Sequence, residues 1–538
     1  MNNKKISRII NIILVIFLIV QPLCDIYMGV IGEDLDVFGI SIVTFTRTIT
    51  TVALVVVVGI SQIIYKYKLK WLYTLLGYLA AVGIYATFHH FNIVNSGGYY
   101  ITNGLYDFVT ELMYVLRLVV PIILMYVVII TKPKKERIEK AILVSVAIIS
   151  LIIITTNIFK ISYASYSPTN AFIEYNVFDW FKYDELSYRE TLSKGYFVSA
   201  NQIGALLVVL LPITILYAVK YNKTPVYIVL LLQVISMVLV GTRVATYGYV
   251  LCILAMLLGY IVISIIRKQK IHIERILAVA FILVVGLLIY KHSPSNSRTF
   301  ASANSGMYVE LSEEEIAKNQ YITIEAYNEI VSDEAKMREY LKAKKNKKLT
   351  IDELTYRTMC KYIETNYRQH AIAKKYVMNI YPYTEDPEFW VNLFEQPVSV
   401  KGDNRSRQSV IIKRIKELNN NILNDTLVGM GATPMNQREY MIENDLISHY
   451  YNIGIIGIIL FVSPYAIAAL YVMIAGLRKI RLLFNARIMA YVLAIFMMYV
   501  IGFFAGHVID EYIVTIYMAI MTGVLINEFN KLMRKEGK

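Results

Sequence analysis

Three cysteines in 538 residues, Cys24, Cys252 and Cys360, are too few and too scattered for a disulfide framework, and they show no metal-ligand spacing. The chain has no phosphate-cradling Gly-Lys-Ser/Thr loop, no dinucleotide-binding glycine fingerprint, no His-Glu-x-x-His and no Gly-x-Ser-x-Gly. Neither nucleotide hydrolysis nor hydrolase chemistry therefore has support, and any reaction must be driven by an already activated substrate. Internal repeats and low-complexity tracts are also missing. Charge is sparse, at 17% of residues against 57% hydrophobic.

With a mean hydropathy of +0.50, the apolar runs near the ~20-residue spanning length cannot be hidden in one soluble core. The chain reads as an all-α polytopic membrane protein. Spans are expected at about 9–31, 38–64, 71–88, 108–131, 141–158, 196–219, 224–242, 245–266, 275–290, 446–476, 487–506 and 511–529, about twelve in all. The N-terminal "MNNKKISRIINIILVIFLIVQPLC" has the basic start and apolar stretch of a signal peptide. No small-residue cleavage site follows, so it is read as the first span.

The net charge of +14 sits unevenly. Asn2–Arg8, Tyr65–Lys70, Thr131–Lys140, Lys220–Lys223, Arg267–Arg275, Leu477–Arg487 and Asn530–Lys538 are basic, and the alternate connections are acidic or mixed. The positive-inside rule accounts for that pattern without nucleic acid, and it puts both termini in the cytoplasm. Three divisions follow: spans in 1–290, a large, mainly helical external loop domain in 291–445, and the last three spans in 446–538. A loop of that length usually carries structure or function of its own. Within it, Ser312 to Glu315 matches a capping box. Farther on, Ile411, Ile412, Ile415, Leu418, Ile422 and Leu423 line one helical face that ends at Gly429 and Gly431. A second external loop, Ile161 to Lys194, is rich in Tyr, Asp and Glu; its rings suit either a sugar site or an interfacial aromatic belt.

Ionisable residues at span ends are the candidates for chemistry. Arg243, in "LVGTRVATYGYV", lies at the expected external junction of two spans. A fixed guanidinium there can grip a diphosphate bidentately and stabilise charge growing on it, or it can snorkel and merely mark a helix end. Arg47, Glu111 and Arg117 lie within or beside spans; the arginines suit a lipid phosphate or interhelical pairing, and Glu111 and Arg117, six apart, share no helical face. In "EYMIENDLISHYYNIGIIGIILF", Glu443 and Asp445 are the last external acids before an apolar run. Partial desolvation makes such a carboxylate a competent general base. Asp445, His449 and Asn452 fall on one face at i, i+4 and i+7, with Glu443 roughly 200° from Asp445. Asn444 or Asp445 serves equally well as an N-cap. "GFFAGHVIDEYIVT" adds His507, Asp510 and Glu511. The expected topology brings Arg243, Arg405 or Arg407, Glu443, Asp445 and His507 to one membrane face.

These segments resemble the O-antigen ligase and polysaccharide polymerase (Wzy/WaaL-like) family of bacterial membrane glycosyltransferases. "GYFVSANQIGALLVVLLP", with Asn201, is similar to the family's Gly-aromatic…Asn segment, and Gly241-Thr242-Arg243 to its Ser-x-Arg segment. "LVGMGATP" followed by "ENDLISHYYNIGIIG" resembles its Gly-x-Gly and closing segment, and "AGHVIDEYIVTIY" its penultimate-loop His. Ligases of the family carry His-Asn at the start of the closing segment, where this chain has Glu443-Asn444. That departure resembles polymerase-type or Gram-positive members. The resemblance implies metal-independent, cofactor-free glycosyl transfer outside the membrane, in surface or capsular polysaccharide biosynthesis. The donor is a glycan on an isoprenoid (undecaprenyl) diphosphate, and a sugar hydroxyl is the acceptor. Membrane lipid, a chain-length regulator and a flippase are the further partners. Arg243 is assigned to the diphosphate, Glu443 or Asp445 to the base, and Arg405, Arg407, His507, Asn201 and Arg117 to substrate binding.

Two other classes fit part of the pattern. A lipid-linked oligosaccharide flippase would show two similar halves, which the nine-plus-three division contradicts. A peptidoglycan-type polymerase would also use an external acid, but its usual signatures are not present.

Overall fold

In a computed structural model of the protein, the residues described are 3–31, 36–37, 40–95, 106–167, 170–183, 186–296, 333, 335, 351–370, 372, 374–397, 400, 404–419, 421–433, 442–506 and 508–536. The chain is an all-α polytopic membrane protein, and its β-structure among these residues is confined to the two-residue pairing of Asp36–Val37 with Ile40–Ser41 and isolated bridges.

Eleven helical stretches among the described residues are long and apolar enough to cross a membrane. The first, Lys5–Ile31, is α1 (Asn3–Val20) and α2 (Cys24–Ile31), joined by a tight turn at Gln21–Leu23. Then come α3 (Ile42–Ile64), α4 (Leu69–Asn95), α5 (Phe108–Thr131) and α6 (Lys135–Ile158). After the short α7 (Tyr188–Thr191) follow α8 (Ala200–Tyr221), α9 (Thr224–Val240), α10 (Arg243–Ile266) and α11 (Ile273–His292). The expected span at 224–242 is the one that falls short: α9 has 17 residues, about 26 Å against a hydrocarbon core of about 30 Å. Gly241, at φ +63°, ends it in the left-handed region.

The long segment between α11 and the last crossings supplies α12 (Ile351–Asn366), α13 (Pro387–Glu395), α14 (Asn404–Leu418) and α15 (Ile422–Val428). The capping box expected at Ser312 to Glu315 lies outside the described residues. The last crossings are α16 (Asp445–Gly457) running through a wide turn into α17 (Ser463–Leu477), then α18 (Ala486–Ala505) and α19 (Tyr512–Glu536).

Helix α8 is the axis of the bundle. Every residue from Ile203 to Val219 is buried, and α9, α10 and α18 pack around it. A helix apolar on all sides can only sit there. Pro212 within it deprives the Val208 carbonyl of its helical donor, and the Cys252 thiol lies 3.8 Å from that oxygen. Small residues set the close approaches: a Cβ on Gly248 would lie 2.5 Å from Val208, and one on Gly259 would lie 2.0 Å from the Met489 sulfur. Peripheral helices such as α4 and α11 turn Phe88, Phe91, Leu277 and Phe281 outward, as lipid-facing surfaces should.

Basic connections gather at one end. The Asn11 carboxamide of α1 donates to Thr131 O (3.5 Å), Asn527 of α19 donates to Val128 O (2.9 Å), and Lys135 pairs with Glu528 at 2.5 Å. Both terminal helices therefore start and finish beside the Lys132–Lys135 turn. At the other end, a second hydrophobic core joins α12, α13 and α14 through Tyr362, Ile363, Trp390, Phe394, Ile411 and Ile415, with Ile447 and Tyr451 of α16 packed against it.

Candidate functional site

Arg243 is the first residue of α10 and is exposed. Its seat is tightly built. Thr242 caps α10 by accepting from the Ala245 N–H (3.2 Å), and the Gly241 carbonyl accepts from Ser295 Oγ (2.8 Å). The loop before α8 is stitched to the end of α9: Ser193 N–H donates to Leu239 O (2.9 Å) and Ser165 Oγ to Val240 O (2.9 Å). Helices α8 and α10 run parallel, with a Cβ on Gly204 placed 2.9 Å from Thr242 Oγ1. Asn201, half-buried in the first turn of α8, therefore starts its helix beside the start of α10. Lys194, just upstream, is buried on neutral oxygens, Asn170 Oδ1 at 3.0 Å and Val198 O at 2.8 Å. Burial lowers its ammonium below the ordinary lysine value.

Around the start of α16 the two acids separate. Glu443 is exposed, and its N–H donates to Gln408 Oε1 at 2.9 Å. Asn444 is the cap, accepting from the Ile447 N–H at 3.0 Å. Asp445 is 2% exposed and accepts from the N–H groups of Val508 and Ile509, each at 2.8 Å. It latches the turn before α19 onto α16. His449 and Asn452, on the same face as Asp445, are buried as well. Arg407 is buried with its guanidinium 4.9 Å over the Tyr376 ring, whose hydroxyl receives Gln408 Nε2 at 3.1 Å. Arg405 is half-buried one residue pair earlier on α14. His507 lies outside the described residues.

Arg243 and the Glu443 turn share one face. Gly259 meets Met489, and Arg267, just past α10, donates to Arg481 O (2.6 Å), just before α18, so the two helices run antiparallel. Counting about sixteen residues from the Gly259–Met489 contact brings α10 back to Arg243 and α18 forward to Ala505, both roughly 24 Å away at 1.5 Å per residue. Gly506 follows at φ +68°, where a Cβ would lie 2.9 Å from Asn444 N.

The intramembrane charges pair between helices. Arg47 binds Asp25 through both nitrogens, at 3.2 and 2.7 Å. Arg117 reaches Glu511 at 3.7 Å, lies over the Tyr114 ring, and feels the Asp510 charge as well. Glu111 goes elsewhere: it accepts from His89 Nε2 (3.0 Å), from the N–H groups of Ala432 and Thr433, and from Thr433 Oγ1 (2.7 Å). His89 Nδ1 faces Val428 O at 2.6 Å. Asn92 donates to Asp425 Oδ1 and Gly429 O, both at 2.9 Å, and Tyr85 donates to Ile453 O at 2.8 Å. Sequence reasoning missed Tyr85, His89 and Asn92, although their i, i+4, i+7 spacing put them on one face of α4.

That clamp holds an unusual junction. Helix α16 breaks at Gly454 (φ +65°), and the freed carbonyls of Tyr451 and Asn452 accept from the N–H groups of Met430 (2.8 Å) and Gly431 (3.0 Å). Broken backbone at membrane depth survives only with such replacement partners. Gly429 and Gly431 sit at φ +88° and +94°, and a Cβ on Gly429 would lie 2.3 Å from Asn452 O. The Gly-x-Gly and closing segments singled out in the sequence are thus one interlocked unit.

The sequence model of a family described as O-antigen ligase like membrane protein matches residues 7–532. The chain belongs to that family. No curated protein matches it. In this O-antigen ligase-like protein the clamp also walls a groove of about 920 Å³ between α4, α15 and α16. Ile84, Phe88 and Leu427 form its apolar side, and Asn95, Asn421 and Asn424 its polar end. Family membership implies transfer of lipid-linked glycan within a membrane, as ligation or polymerisation.

Proposed function

We propose that the protein polymerises glycan repeat units carried on an isoprenoid diphosphate, at the outer face of a bacterial cell membrane. The observation that carries this reading is that two exposed residues of opposite charge, Arg243 at the start of α10 and Glu443 beside the end of α18, lie at the same end of the bundle. Glu443 takes the proton from an acceptor sugar hydroxyl as its oxygen bonds to the donor's anomeric carbon. The bond from that carbon to the diphosphate breaks, and the lipid diphosphate leaves with the electron pair, its growing charge met by Arg243.

Asp445 already accepts two backbone N–H groups in a buried site, which suits it to holding the turn rather than taking a proton. Asn201 beside Arg243, and Arg405 and Arg407 above the Glu443 turn, are proposed to position the glycan. Arg117, which reaches Glu511, is proposed to join the set on the α19 side, and His507, in the sequence just before α19, is proposed as a further substrate contact. The amphipathic groove suits a long isoprenoid chain below and sugar hydroxyls at its carboxamide end. Surface or capsular polysaccharide is the proposed product, with a flippase and a chain-length regulator as partners. The reaction needs no metal in this scheme, and both termini, on the basic face, are cytoplasmic.

A strain lacking the gene separates this reading from its rivals. It should accumulate single lipid-linked repeat units on the outer leaflet. Accumulation on the inner leaflet would make the protein a flippase, and accumulation of finished polymer on lipid would make it a ligase.

A further inference from the structure

Away from the proposed site, the basic face carries a trough around Lys132–Pro133–Lys134, the linker between α5 and α6. On one side a cleft of about 710 Å³ is lined by Arg8, Lys132, Lys134 and Arg137, with no carboxylate among the described lining residues, over an apolar floor that includes Val15 and Ile130. On the other, Lys132 and Lys134 face Lys531, Arg534 and Lys535 of α19 across a second cleft of about 740 Å³. Two acids line this second cleft as well, Glu136 of α6 and Glu528 of α19, and Lys135 engages Glu528 at 2.5 Å. The cations crowd one another. The Lys132 ammonium is lowered by burial and then by Lys68, and Lys68 by burial and then by Arg534. Helix α6 also begins here with no side-chain cap, so its first N–H groups have no side-chain acceptor.

We infer that the cleft between α1 and the Lys132–Arg137 segment binds the phosphodiester headgroup of an anionic phospholipid. Charge complementarity selects an anion, and the apolar floor at the level of the helix ends selects one that carries acyl chains. Basic pockets between spans on the positive face are suited to such headgroups. The site does not depend on the glycan reading, because it lies at the opposite end of α5 from Glu111 and Arg117.

The test is native mass spectrometry of the full chain, released from detergent with phosphatidylglycerol, phosphatidylcholine or inorganic phosphate. The wild type should retain phosphatidylglycerol over phosphatidylcholine by about tenfold or more, and equimolar inorganic phosphate should not displace it. An Arg8→Gln, Lys132→Asn, Arg137→Gln variant should lose that preference; Asn keeps the left-handed backbone that Lys132 adopts at φ +49°. An Arg8→Lys, Arg137→Lys variant should keep it. A variant with the same charge loss elsewhere on that face, Lys223→Gln, Arg478→Gln, Arg481→Gln, should keep it too. Equal retention of the two lipids would overturn the inference, as would an unaffected triple variant or equal loss in the matched control. Displacement by phosphate would make the cleft a site for free anions instead.

Discussion

At the scale of single residues, two acids two positions apart have different environments. Asp445 is enclosed and bonded by two amides of the turn before α19, whereas Glu443 is exposed at the site face. Asp445→Asn preserves an oxygen acceptor, so transfer should stay within about tenfold of wild type, while Glu443→Gln should lose at least about a hundredfold. Chain-length profiles of the two variants in the deletion strain read the difference. Asp425 supplies a pH signature. Burial raises its carboxyl above the ordinary value of 3.8, against the lowering effect of Asn92 and Asn419. The folded clamp therefore holds a proton that the open chain releases between 3.8 and the raised value. Its stability is greatest below 3.8 and declines as pH rises through the raised value. Hydrogen exchange at Gly429 to Gly431 against pH should show that decline, and Asp425→Asn should flatten it.

Among the elements, the junction of α4, α15 and α16 carries the most demanding backbone. Gly429→Ala combines a positive φ with a Cβ 2.3 Å from Asn452 O. It should cost about 3 kcal/mol or more, visible as a lowered thermal midpoint in detergent. Glu111→Gln should cost about as much, since it leaves His89 with half of a buried pair. This region also marks how far sequence carries. The spans are legible because each must be about twenty apolar residues long, and the sign of each connection gives its face. The polar faces at Tyr85, His89, Asn92 and at Asp445, His449, Asn452 are legible as spacings. Their partners are not: His89 meets Val428, 339 positions away, and Asp445 meets Val508, 63 away. Helical periodicity says which side chains share a stripe, and only packing says what faces it. For the same reason the two amides that engage Asp445 are invisible in the sequence, and α9 is indistinguishable from a full-length span until Gly241 is seen to turn.

For the molecule as a whole, the two faces of the bundle divide the chemistry. One gathers the lysines and arginines of both termini and the Lys132 trough. The other sets Arg243, Asn201 and Glu443 on helix starts and a rigid turn, under a separately cored cap of α12, α13 and α14. Helix α8, buried from Ile203 to Val219, fixes the spacing between them. The central claim is that Arg243 stabilises a departing lipid diphosphate on the face where Glu443 meets the acceptor. Purified protein in vesicles, supplied with lipid-linked repeat units, tests it most directly. Wild type should build polymer and release isoprenoid diphosphate. Arg243→Ala should slow that release by about 10²–10³-fold while the protein stays folded, with Arg243→Lys recovering only part because a bidentate grip is lost. Polymer growth at the wild-type rate in Arg243→Ala would contradict the account.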